Sequence, residues 1–159
     1  MDNLGISLVK AEMKDCRQIY EMQIESFKDL LDKYQDYDTN PGAEPLEKIE
    51  QRMMQEFTDY YLICLDDKKI GAIRILELGD NVFRISGIFI LPKYQGKGYA
   101  KQVILNVETR YPNAKKWQLD TVKQEIKLRC FYEAMGYKAT GEEIKIQDGM
   151  TIMEYSKDL

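Results

Sequence analysis

Histidine is absent from all 159 residues, which removes the commonest general base at neutral pH and the commonest zinc ligand. Any chemistry must rest on carboxylates, tyrosines, backbone groups or water, and no metal site is expected. Cysteine is scarce: Cys16, Cys64 and Cys130 have no C-x-x-C spacing and each lies in an apolar segment. They read as reduced core residues. No apolar run approaches membrane-spanning length, and the start Met1-Asp2-Asn3-Leu4-Gly5 lacks the basic and then apolar regions of a secretion leader. The expectation is a cytoplasmic protein with no membrane partner. Positive charge is also short, with 23 lysines and arginines against 27 acidic residues. That balance argues against a nucleic-acid partner. There is no G-x-x-x-x-G-K-[ST] string, hence no P-loop, and no repeat, low-complexity tract or linker.

What is present is the composition of a folded globule, 44% apolar and 11% aromatic, in a length that suits one domain, residues 1–159. Ile6 to Lys10 reads as a strand. Cys16, Ile19, Tyr20, Ile24, Phe27, Leu30 and Leu31 then mark the stripe of an amphipathic helix. Turn formers from Tyr34 to Gly42 break it, and Pro45 opens a second helix through Leu46, Ile49 and Met53 to about Phe57. Tyr60 to Leu65, Ile70 to Leu78 and Val82 to Leu91 are three strands whose links are short enough to require antiparallel pairing. Gly87 predicts a bulge or a close backbone approach in the third, and Ile88 to Leu91 is wholly apolar, as in a strand buried on both faces. Ala100, Val103, Ile104, Val107 and Tyr111 mark a third helix, stopped by Pro112 and Asn113. Trp117 to Thr121 follows as a strand, made parallel to the Val82 strand by the helical crossover. A last helix from about Gln124 to Met135 ends at Gly136, and Tyr137 to Ile146 with Met150 to Ser156 close the chain as a hairpin. The expected architecture is α/β (α+β), a mixed and mostly antiparallel sheet flanked by about four helices.

The stretch that organises this layout is Pro92-Lys93-Tyr94-Gln95-Gly96-Lys97-Gly98-Tyr99-Ala100, between a strand and a helix. Gly96 and Gly98 let the backbone turn so that its N–H groups converge on an anion, and the following helix adds the positive end of its dipole. Residues alone thus predict an anion site at a strand-to-helix turn. Lys97 and Lys101 flank it and can contact phosphate as point charges.

The pattern Q/R-x-x-G-x-G/A, met by Gln95, Gly98 and Ala100, resembles that of the GNAT superfamily of acyl-CoA-dependent N-acetyltransferases. The entry Ile88-Phe89-Ile90-Leu91-Pro92 and the string Phe131-Tyr132-Glu133-Ala134-Met135-Gly136-Tyr137 resemble the family as well. The likeness implies a sheet splayed between its two parallel central strands, with acetyl-CoA as cosubstrate. It implies that amides from Gln95 through Ala100, including Gly96, Lys97, Gly98 and Tyr99, hold the pyrophosphate. The backbone of Ile88, Phe89 and Ile90 would pair with the pantetheine, and an N–H near Ile88 would polarise the thioester. Tyr132 would donate the proton to the departing thiolate. One departure is Glu125, where many relatives have an asparagine.

The implied partner beside acetyl-CoA is an amine-bearing acceptor, small molecule or peptide, and the protein would be a monomer or homodimer. A phenol of reference pKa near 10 is protonated at neutral pH and suits the acid role, although Leu128, Tyr132 and Met135 also share a helical face in the manner of a core. Glu77, Asp120 and Glu25 are candidate bases, as is a water chain. The acidic loop Tyr34-Asp36-Tyr37-Asp38 would suit a cationic acceptor or be a solvated loop. Two rival readings remain. A nucleotide-dependent oxidoreductase would use Gly96-x-Gly98 with Asp120 about 20 residues on, but Lys101 stands at the third glycine position and antiparallel strands surround the unit. A non-catalytic acetyl-CoA sensor would keep the phosphate turn without turnover.

Overall fold

The computed structural model describes residues 5–159, so the acidic start Met1 to Leu4 lies outside the described residues. Seven strands form one sheet in the order β1-β2-β3-β4-β5-β7-β6. Strands β1 (Ile6–Lys10), β2 (Thr58–Leu65), β3 (Lys68–Gly79) and β4 (Val82–Ile90) pair antiparallel in succession, and β5 (Lys116–Val122) runs parallel to β4. The closing hairpin, β6 (Lys138–Gln147) and β7 (Met150–Asp158), turns back so that β7 lies between β5 and β6. This is the mixed α/β sheet with one central parallel pair that the splayed architecture requires.

Alternation along the strands sorts their side chains onto two faces. One face carries Ile73, Ile75, Phe83, Ile85, Trp117, Leu119, Met153 and Tyr155. It packs with Val103, Ile104 and Val107 of α3 (Tyr99–Arg110) and Tyr132 of α4 (Ile126–Ala134). The other buries Tyr60, Leu62, Cys64, Ala72 and Phe89 under Ile19 and Met22 of α1 (Cys16–Tyr34) and Ile49 of α2 (Leu46–Met53). Each large core side chain removed from water contributes about 1.5–3 kcal/mol, so the sheet is held from both sides. The α1 and α2 helices pack on this face chiefly against β2, β3 and β4.

Three expectations change. The second helix stops at Met53 because the chain turns towards the sheet, where the Phe57 carbonyl accepts from the Glu77 amide at 2.9 Å and Phe57 itself is exposed. Cys16 and Cys64 are buried, but Cys130 is exposed. It lies two residues before Tyr132, about 200° around α4 from that buried ring. The apolar end of β4 does not bury every residue alike. The pairing jumps from Arg74↔Gly87 to Ile75↔Ile85, leaving Ser86 as the extra residue of a bulge. Beyond it the parity reverses, so Ile88 and Ile90 pack on the α3 and α4 side while Phe89 meets Phe27 of α1, ring centroids 6.0 Å apart. Among the described residues no helix is long and apolar enough to cross a membrane.

Candidate active site

A 3-10 turn at Pro92–Tyr94 carries the chain out of β4, and Gly96 (φ 74°) and Gly98 (φ 86°) then adopt left-handed conformations that lead directly into α3. No side chain caps α3, and its first turn holds no acidic residue. Among the described residues the backbone amides of 96–101 donate to no acceptor, and the turn from Gln95 to Gly98 is exposed. Six free N–H groups at a helix N-terminus form a donor set suited to an anion. Gln95 behaves differently from the expectation: its own amide donates to the Pro92 carbonyl at 3.1 Å, so the free donors begin at Gly96. Its side chain turns back and Nε2 donates to the Ile90 carbonyl at 2.8 Å, tying the turn to the end of β4. Lys97 and Lys101 are exposed beside it.

The parallel pair explains how a thin ligand can enter a sheet. Strands β4 and β5 pair only over Val82↔Lys116, Phe83↔Trp117 and Arg84↔Gln118 and then diverge. From Ile85 onward β4 has β3 on one side and no strand on the other, so its β5-facing edge is open at Ile88, while the Ile90 carbonyl accepts from Gln95 and the Phe89 backbone faces Gly71 of β3. Gly87 sits in this gap. It is exposed although it lies mid-strand, and nothing lies within 4 Å of where a Cβ would stand.

Tyr132 approaches the same gap from α4. Its ring is buried against Phe131, Tyr137 and Tyr155, with centroids 5.2, 6.2 and 6.5 Å away. Its hydroxyl has no hydrogen-bond partner among the described residues. Burial, and then the charge of Asp120, push that hydroxyl up to about 12. Asp120, on β5, accepts from Arg84 Nη2 at 2.8 Å, while Arg84 also holds Glu154 through Nη1 and Nη2 at 3.0 and 2.8 Å. The Asp120 side chain is 47% exposed, yet partial burial lifts its carboxyl above its ordinary value; Arg84 pulls against this and Glu154 adds to it.

Of the three carboxylates considered as bases, only Asp120 lies at the gap. Glu77 is exposed at the end of β3 opposite Phe83, and Glu25 is exposed on the outer side of α1. Glu125, the residue at the departure from the family pattern, is the N-cap of α4 and accepts from Lys33 Nζ at 2.7 Å and Tyr34 Oη at 2.5 Å. Burial pushes its carboxyl up, but the Lys33 and Tyr34 hydrogen bonds outweigh this and hold it below the usual glutamate value. Asp36 is buried and accepts from Thr39 Oγ1 and Asn40 Nδ2, and the recess of about 350 Å³ beside it is also lined by Lys145.

Sequence reasoning missed Gly71, Arg74 and Ser86. A Cβ on Gly71 would stand 2.1 Å from the Phe89 carbonyl oxygen. The signal was available, since a lone glycine inside a strand marks close backbone approach. Arg74 and Ser86 gave none, because their pairing depends on the bulge.

The family model for the acetyltransferase (GNAT) domain matches residues 12–159. No curated protein matches the sequence. Among solved structures, an acetyltransferase from Thermus thermophilus superposes with a TM-score of 0.75 at 16% identity, with 100% of each chain covered. The PaiA N-acetyltransferase from Thermoplasma acidophilum, in complex with coenzyme A, gives 0.72 at 18% identity, covering 97% of this chain and 99% of that one. An acetyltransferase from Salmonella typhimurium that modifies the N-terminal serine of ribosomal protein L7/L12 gives 0.76 at 13% identity, covering 98% and 95%. At such identities the likeness is one of fold.

Proposed function

The chain belongs to the GNAT family of acetyltransferases, with acetyl-CoA as its donor, and from that premise we propose that it acetylates a primary amine by direct attack, residues 1–159 forming one catalytic domain. The amides of Gly96, Lys97, Gly98, Tyr99, Ala100 and Lys101 hold the pyrophosphate, and Gln95 fixes the turn to β4. The segment Ile88, Phe89 and Ile90 borders the gap, and Ile88 offers its open backbone edge to the pantetheine. Bound acetyl-CoA supplies an activated acetyl thioester whose transfer forms an amide and leaves a thiolate.

Tyr132 supplies the hydrogen bond, and finally the proton, to that sulfur. With its hydroxyl near 12 it keeps its proton at any working pH. A free thiol titrates near 8.5, so complete transfer is uphill by about 3.5 units, roughly 5 kcal/mol. Burial of the thiolate raises its own basicity and narrows that gap, so the Tyr132 contribution is largest as the C–S bond breaks. Asp120 takes the proton from the attacking ammonium. The upward push on its carboxyl makes it a better base than a solvated aspartate, and the lack of histidine leaves few competitors.

The observation that carries this reading is the coincidence of six free amides in one turn with an unpaired strand edge leading from it to Tyr132. Thiol release from acetyl-CoA in a panel of primary amines and peptide N-termini tests it. Turnover with at least one amine is expected. Acetyl-CoA binding with no turnover across the panel would instead support the sensor reading.

A further inference from the structure

The acceptor side of the gap carries a cation that the acetyl-transfer chemistry does not use. Arg74 lies on β3 directly between Tyr60 of β2 and Gly87 of β4. It alternates with Ile73 and Ile75 of the α3 and α4 face, so its side chain belongs to the opposite face, the one on which α1 and α2 pack. It is partly buried, and one bond to Ser86 Oγ, from Nη2 at 2.9 Å, is its only hydrogen bond among the described residues. No carboxylate of the described residues lies within ion-pair distance. A guanidinium has five donors in a planar fork, so most of its capacity faces no protein acceptor.

The neighbouring arginines on this face are each paired with carboxylates. Arg52 makes two 2.7 Å bonds to the two oxygens of Glu44, and Arg84 is held by Glu154 and Asp120. Glu44 also accepts from Gln23 Nε2 at 3.0 Å. The Arg52 and Glu44 charges cancel, leaving one net positive charge at Arg74. On the other side, Arg84 with Asp120 and Glu154 sums to one net negative charge. Burial, then the nearby Arg52, make the protonated state of Arg74 less favourable than in water, the expected condition of a cation short of its counter-ion.

These two poles flank one point. Counting on from Arg84↔Gln118, Asp120 comes level with Ser86 and Gly87 across the gap, while Arg74 is paired with Gly87 from the opposite strand. The space above Gly87 is open. Two strand spacings, about 10 Å, separate β3 from β5 before the splay, which suits a small molecule with opposite charges a few bonds apart.

We propose that the acceptor is a free amino acid, its carboxylate forked by Arg74 over Gly87 and its amine directed to Asp120 and the thioester. The proposal rests on the acetyl-transfer reading and deepens it. It also replaces the cationic acceptor that the acidic loop suggested. The chemistry is consistent with a carboxylate base. Neutralising the acceptor carboxylate with Arg74 removes the negative charge that holds an amino acid ammonium up, bringing its amine towards the value of a chain terminus, about 7.7–8.0, instead of about 10.4 for an alkylamine. Less work is then left for Asp120.

The test compares the twenty L-amino acids with their carboxamides and with simple diamines, by thiol release and, independently, by calorimetric binding in the presence of coenzyme A. At least one amino acid should have a KM at least tenfold below that of its carboxamide. Arg74→Gln should abolish the difference by raising KM with little change in acetyl-CoA affinity, and Arg74→Lys should restore part of it. Unchanged acetyl-CoA binding shows that each variant is folded. Turnover of diamines or carboxamides without a carboxylate preference overturns the proposal and leaves acetyl transfer standing. Amino acid binding that depends on Arg74 without turnover supports the carboxylate site and contradicts the catalytic reading. No amino acid binding and no turnover contradict both.

Discussion

A Cβ built on Gly71 would stand 2.1 Å from the carbonyl oxygen of Phe89, a backbone atom that cannot move aside without shifting β4. This contact sets β3 against the stretch of β4 that borders the gap to β5. Gly71→Ala should lower stability by about 2–3 kcal/mol or more, as overpacking against a fixed neighbour does. In a domain of this size that corresponds to a fall in melting temperature of roughly 5–10 °C. Thermal unfolding by circular dichroism measures it, and a parent-like melting temperature would contradict the β3–β4 register.

Tyr132→Phe keeps the ring and its aromatic contacts and removes a hydroxyl that has no protein partner. Stability and acetyl-CoA affinity should stay close to those of the parent, while kcat falls about 100-fold, within the range for loss of a general acid. Steady-state kinetics beside calorimetry separate the two effects. Equal kcat in the parent and the variant would remove Tyr132 from the reaction.

Asp120→Asn leaves Arg84 held by Glu154 and removes the carboxylate proposed to accept the proton. In the parent, kcat/KM should fall as pH drops through the raised value of Asp120, because a protonated carboxyl cannot accept a proton. The variant should depend on amine already neutral in solution, so its deficit, about 10- to 100-fold at pH 7, should shrink as pH rises towards the acceptor's own value. A pH profile of both proteins measures this. A deficit constant with pH would assign Asp120 a packing role only.

Glu125 ties the end of α1 to the start of α4, and its folded value lies below that of an unfolded glutamate. Its stabilising contribution is therefore complete above about 4.3, the unfolded value, and is lost as pH falls through the folded one. Urea midpoints of the parent and Glu125→Gln should differ at pH 6 and converge at lower pH. A difference that persists unchanged into acid would mean that charge is not what holds this contact.

Much of this arrangement was legible in the residues. Strand order up to the parallel crossover followed from link lengths, and the glycine turn followed from Gly96 and Gly98, both at positive φ. What was hidden depended on long-range pairing. Gly87 signalled a bulge, but only the β3 register shows that Ser86 is the extra residue and that Arg74 is paired with Gly87. Cys130 looked like core because its neighbours are apolar, yet Tyr132 fixes which side of α4 is buried. The Asp36 carboxylate looked free and is consumed by Thr39 and Asn40. Helical stripes and turn residues are local signals, whereas the sharing of one face by β3, β4 and β5 is not.

The placement of the donor is tested most directly by titrating acetyl-CoA into isotope-labelled protein and following backbone amide resonances. The largest shifts should fall on residues 96–101 and on Ile88 to Ile90, and Gly98→Val should weaken the binding at least tenfold by placing a branched side chain on a left-handed backbone where phosphate approaches. Shifts centred instead on the groove between α3 and β1, around Ile6, Gln102 and Asn106, with residues 96–101 unmoved, would contradict it.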